Sequence, residues 1–103
     1  MSSYNLFKVK PLQGQDESFE TLLKCRNVLI ERIQSPAMTR SDLLVQEQDE
    51  WVCLLQGEAK LEMDNQIHCL QPGATLFIPS GTAHRVVDTS QDPLCIWLAV
   101  HIH

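Results

Sequence analysis

Turn-forming residues cut the chain into short extended runs, and this punctuation restricts the fold more than any other feature. Residues 51–56 are apolar except for the last and stop at Gly57. Residues 59–63 alternate, and Asp64-Asn65 supplies a tight turn into residues 66–70. Gln71-Pro72-Gly73 is a turn in which the glycine can take a positive φ. Residues 74–78, 83–88 and 94–101 follow, separated by Pro79-Ser80-Gly81 and by a polar stretch. Residues 27–33, closed by Ser35-Pro36, and residues 42–47 complete a set of about eight strands with turns every ~8–12 residues. That is the pattern of an all-β sandwich or barrel. One segment departs from it. In DESFETLLKC, residues 16–25, Phe19, Leu22 and Leu23 fall at i, i+3 and i+4 behind a capping Asp16, which predicts one short N-terminal helix. Ahead of it, residues 4–9 are strand-like with apolar side chains on both faces, within an arm spanning residues 1–13.

The length of 103 residues gives one domain, and 44% apolar with 20% charged residues is the balance of a globular one. The formal charge is −5, and the eight basic residues stand singly along the chain. Nucleic acid and anionic membrane surfaces are attracted by gathered Lys and Arg, so neither is an expected partner. No apolar run approaches the ~20 residues of a membrane span. The first ten residues lack a secretory pattern, so a cytoplasmic location is expected. Cys25, Cys53, Cys69 and Cys95 are far apart, with no CxxC pair of the kind that clasps zinc. They are expected to be free thiols packed as small hydrophobes.

Residues 73–88 read GATLFIPSGTAHRVVD. Physically, Gly73 completes a chain reversal, and Pro79 lacks an N–H and ends a strand's ladder. Gly81 turns the chain again so that His84 re-enters on a strand. Strand alternation would place His84, Val86 and Asp88 on one face. The stretch resembles the second motif of the cupin family, G-x5-P-x-G-x2-H-x3-N, through Gly73, Pro79, Gly81 and His84, with Asp88 where Asn is usual. The first cupin motif, G-x5-H-x-H-x3–4-E-x6-G, is similar to this chain only at its back end, Glu50 and Gly57. Its two histidines fall on Leu44 and Gln46 with the shorter spacing, or on Leu43 and Val45 with the longer. The resemblance implies a cupin-type jelly roll over residues 27–101, with the His84 face turned into the barrel.

In cupins with both motifs, the histidines and the glutamate bind one divalent metal. Carried over residue by residue, the resemblance implies Gln46, Glu50 and His84 as candidate ligands of a divalent transition metal. Imidazole nitrogen, carboxylate and amide oxygen form a mixed N/O set of that kind. Without a metal, Glu50 and His84 would form a polar pair able to act as general acid and base, and they are the candidate catalytic residues. Two function classes follow: a cupin acting on or binding a small molecule, and a metal-free ligand-binding or assembly module without catalysis. Asp49 is a further candidate ligand from its loop, whereas His68 is expected to be a surface or a satisfied histidine, and His101 and His103 are expected at the surface as a frayed terminal pair. Trp51 should point away from Glu50. Apolar residues on both faces of the strands around Trp51 and Trp97 exceed what one interior absorbs, which predicts a homodimer.

Overall fold

The computed structural model describes residues 3–12 and 14–103 and is built from antiparallel strands. In chain order these are β1 (Ser18–Cys25), β2 (Val28–Ser35), β3 (Asp49–Gln56), β4 (Ala59–Met63), β5 (Gln66–Leu70), β6 (Thr75–Ile78), β7 (His84–Thr89) and β8 (Cys95–Ile102). One sheet has the order β1-β2-β8-β3-β6 and the other β5-β4-β7. Val52 and Leu54 of β3, Trp97 and Ala99 of β8, Leu61 of β4, Leu70 of β5 and Ile78 of β6 share one buried cluster. The two sheets therefore face each other as a jelly-roll sandwich, as the turn spacing predicts. At Asp64 and Asn65 both φ angles are positive (53° and 61°), the conformation that closes a two-residue hairpin between β4 and β5.

The expected helix over residues 16–25 is a strand instead. β1 pairs with β2 from Ser18↔Gln34 to Cys25↔Val28, and the register slips between Thr21 and Leu23. Leu22 is the extra residue of a β-bulge. A period of two, broken once, brings Leu22 and Leu23 together and imitates helical spacing. So short a helix is marginal in water, whereas a full ladder against β2 satisfies its backbone.

Residues 42–47 are the converse case. Leu44 makes a single bridge to His84, with N–H···O contacts of 2.8 and 3.0 Å. Ser41 N–H to Val86 O (2.9 Å) and Gly81 N–H to Gln46 O (2.8 Å) tie the segment to the edge of the small sheet without a continuous ladder.

The N-terminal arm is not a strand over residues 3–12, and positions 1, 2 and 13 lie outside the described residues. It crosses the outer face of β2. There the buried Arg32 donates to the carbonyls of Leu6 (3.2 Å) and Lys8 (2.8 Å), and Gln34 donates to that of Lys10 (3.4 Å). Its carbonyls are taken by side chains, so no strand neighbour claims them. Tyr4 lies over the Arg32 guanidinium, 5.1 Å from ring centroid to carbon, and donates to Glu20, which also pairs with Arg32 at 3.0 Å.

Only Cys95 is buried; Cys53 is half-buried, and Cys25 and Cys69 are exposed, so packing as hydrophobes applies to two of the four free thiols. Among the described residues no helix is long and apolar enough to cross a membrane.

Candidate functional site

Strand alternation decides which side chains enter the space between the sheets. Glu50, Val52 and Leu54 of β3 point inward and are buried, while Trp51 is half-buried on the other face. On β8 the inward set is Trp97, Ala99 and His101. β7 begins at His84, with Val86 next on the same side. All of these inward side chains except Leu54 and Ala99 border a cavity of about 100 Å³. Its walls are largely apolar, and Gln46, Glu50, His84, His101 and Glu31 make its polar end, with Glu17 also on the lining.

The polar end is connected in a definite order. His101 Nε2 donates to Glu31 Oε1 at 2.7 Å, and His101 Nδ1 meets the Gln48 side-chain amide at 3.1 Å. Both imidazole nitrogens of His101 are thereby used. His84 Nδ1–H donates to the Thr82 carbonyl at 3.1 Å, which leaves Nε2 as the acceptor of the neutral ring. That nitrogen lies 3.8 Å from Glu50 Oε1, and His101 Nε2 lies 3.9 Å from Glu50 Oε2. Both separations exceed hydrogen-bond length. Glu50, at 6% exposure, therefore faces two imidazoles without bonding to either.

Burial pushes the Glu50 carboxyl above its ordinary range; His101 and then His84 pull it back, and Glu31 adds to the rise. The hydrogen bond to Glu31 holds the His101 pKa up, against the effect of its burial. Glu17 is likewise raised by burial and partly relieved by Ser35, whose hydroxyl donates to it at 2.5 Å and accepts from Trp97 Nε1 at 3.0 Å.

Gln46, Glu50 and His84 thus line one cavity, and Trp51 points away from Glu50. Other sequence candidates lie elsewhere. Asp49 Oδ1 accepts from the Ser80 amide at 2.8 Å and braces a loop. Asp88 is off the His84 face because the β4–β7 register slips between Lys60 and Leu61, leaving Val87 as an extra residue; Thr89 is buried in its stead. His68 and His103 do not border the cavity. His101 is a correction: it is buried on β8, not frayed at the surface. Its signal was its phase, two residues beyond Ala99 and four beyond Trp97 on the inward face. Glu31 was legible in the same way, two residues before Ile33.

Residues 37–101 match the family described as Cupin domain. The chain belongs to the cupin family. This cupin is similar over nearly its full length to a solved structure from Ralstonia eutropha, provisionally assigned as a mannose-6-phosphate isomerase. The two are 34% identical, with 98% of this chain and 97% of that one covered and a TM-score of 0.87. The cupin domain of Schizosaccharomyces pombe Cnp3 shares the fold at 16% identity and a TM-score of 0.84, covering 97% of this chain and 68% of that one. Among curated proteins, the RCS-specific HTH-type transcriptional activator RclR of Escherichia coli is 40% identical over 47 residues, 45% of this chain. The match covers 16% of that activator's length.

Cupins often hold a metal, which sets a requirement on the donors of this site. His84 Nε2, one Glu50 oxygen and the amide oxygen of Gln46 have no competing partner. His101 is committed to Glu31 and Gln48, and Leu44 offers no ligand. Among the described residues no three His, Cys, Asp or Glu come together as ligands. One imidazole, one carboxylate and one amide do not fit a tightly held transition metal.

Proposed function

We propose that this cupin binds a small organic molecule in the cavity between its sheets, without a resident metal, and that Glu50 and His84 hold its polar end. One observation carries the reading: two side chains that are each about nine-tenths buried present unpartnered polar atoms to the same apolar-walled space. Buried polar groups in native proteins are ordinarily hydrogen-bonded, so this pair is left for something that enters. Elemental analysis of protein purified without a chelating tag, followed by a thermal-shift screen of small molecules, tests it. The expected result is sub-stoichiometric transition metal together with at least one stabilising ligand; at about 100 times its Kd a ligand adds ~2.7 kcal/mol. A stoichiometric ion that survives dialysis would replace this reading with a metal-centred one.

A second reading has its own support. A carboxyl and an imidazole nitrogen that face each other at 3.8 Å are an acid–base couple whichever of the two holds the proton, the minimum for moving a proton within a bound substrate. The provisional isomerase assignment of the Ralstonia protein agrees with that chemistry.

Self-association belongs to the same proposal. On the outer face of the large sheet, Ile30, Val100, Trp51 and Phe77 lie in one row across four strands, and Phe77 is 49% exposed. A second copy laid on this face would cover the row. Wild-type protein is expected to scatter light as a dimer and Trp51→Glu as a monomer near 11.7 kDa with an unchanged circular dichroism spectrum. A monomeric wild type at micromolar concentration would end the dimer proposal.

A further inference from the structure

Resting on the reading of the cavity as a small-molecule site, we propose that its ligand is a short primary amine, with the ammonium at the Glu50–His84 end and a small apolar body among the walls.

Charge is the first argument. Three carboxylates, Glu17, Glu31 and Glu50, border the cavity, and among the described residues no Lys or Arg does. The one cationic candidate with its charge favoured, His101, is already bonded to Glu31. A phosphate or carboxylate entering here would lose its water and meet like charge with no guanidinium or ammonium to receive it. The sugar phosphate named for the Ralstonia relative therefore does not suit this cavity.

Hydrogen-bond capacity is the second argument. Both carboxyl oxygens of Glu50 and the buried Oε1 of Gln46 are acceptors without a hydrogen bond, and Nε2 of His84 lies 3.8 Å from Glu50 Oε1. Glu50 and His84 are only 6% and 5% exposed, so little surface water reaches them. An ammonium carries three donors and no acceptor. A hydroxyl brings one donor and a carboxylate none, so of these groups the ammonium offers the most to the acceptors left here.

Size and walls are the third. The cavity, at about 100 Å³, falls below the range of ~300–1,000 Å³ typical of sites that enclose drug-sized ligands. Ile33, Val52, Leu61, Ile78, Val86 and Trp97 line its apolar part. A body of few carbons fits such walls, and a polyol would leave its hydroxyls unpaired there.

The test uses four probes: isobutylamine hydrochloride, isobutanol, sodium isobutyrate and mannose 6-phosphate. Each is titrated into the full chain near pH 7.5 and read by the Trp97 indole N–H resonance and by calorimetry. Isobutylamine is expected to bind about tenfold or more tightly than isobutanol, and the two anions not at all. Glu50→Gln should lose about tenfold or more in affinity for the amine while keeping its fold, because it removes charge at nearly constant shape. Gln46→Leu, which removes the unpaired acceptor, should lose less but measurably. Tighter binding of isobutyrate or mannose 6-phosphate than of the amine would overturn the assignment while leaving a small-molecule cavity standing. Binding of isobutanol alone would do the same. Silence from all four probes would overturn the amine assignment, and silence across the broader screen as well would remove the cavity reading with it. Undiminished amine binding by both variants would place the amine elsewhere and also refute the proposal.

Discussion

Gly57→Ala is expected to destabilise the protein by about 3 kcal/mol, from backbone strain and a steric collision together. Gly57 has φ +88°, where a side chain is strained whatever the space around it. A Cβ there would also lie 2.8 Å from Cys95 Sγ, 2.9 Å from Ser90 Oγ and 3.0 Å from Cys95 Cα. None of these can retreat easily. Cys95 is fully buried and its thiol reaches the Glu58 carbonyl at 3.2 Å. Ser90 Oγ accepts from the Glu58 amide at 2.9 Å and donates to the Pro93 carbonyl at 2.7 Å. Gly73 is the internal control. Its φ is +90°, yet nothing stands within 4 Å of a Cβ built there, so Gly73→Ala should cost only the strain, about 1 kcal/mol. Urea unfolding of the two variants separates the contributions. Equal midpoints would show that the contact with Cys95 and Ser90 carries no weight.

Gly57 and Gly73 also illustrate what the sequence discloses. Both sit in motif positions whose spacing is legible without coordinates, and so do Pro79, Gly81 and His84. Turn chemistry is local, which is why Asp64-Asn65 and the strands on either side were placed correctly. The errors share a physical origin. Bulges shift side-chain phase by one residue, and no composition signal marks them. Leu22 converts a strand into an apparent helix, and Val87 moves Asp88 off the face of His84. Residues 42–47 look like a strand because Leu43 and Val45 are apolar, but both are exposed and only Leu44 pairs. In the site, Gln46, Glu50 and His84 could be read from motif spacing, counted back from Gly57 for the first two and forward from Pro79 and Gly81 for the third. Glu31 and His101 could not, because their pairing joins β2 to β8 across most of the chain. Alternation could put each on an inward face, but only the sheet order makes them neighbours.

His101→Ala is expected to cost about 3 kcal/mol near pH 7, the loss typical of removing one partner from a buried pair. His101 Nε2 is 2.7 Å from Glu31 Oε1 and 3.9 Å from Glu50 Oε2, and the two carboxylates are 14% and 8% exposed. Without the imidazole they face one another with little water to screen them. The pH dependence has a definite sign. His101 is raised above 6.5 in the folded state, so its contribution is full below that value and is lost as pH rises through the raised one. Glu50 is raised above 4.5, so protonation favours the folded state, and its contribution likewise fades as pH rises through its own raised value. The wild type therefore gains from these two groups on the acidic side of neutrality. The defect of His101→Ala should peak where Glu50 is ionised and His101 is still charged. It should shrink in acid, as Glu50 takes up its proton, and shrink again in alkali, as the wild-type imidazole loses its own. His101→Gln, which keeps a donor for Glu31 but no charge, should fall between wild type and alanine. Urea midpoints measured from about pH 4 to 9 trace this curve. A difference between wild type and His101→Ala that stays flat across that range would show that His101 acts through packing alone, and that its charge does not hold Glu31 and Glu50 together.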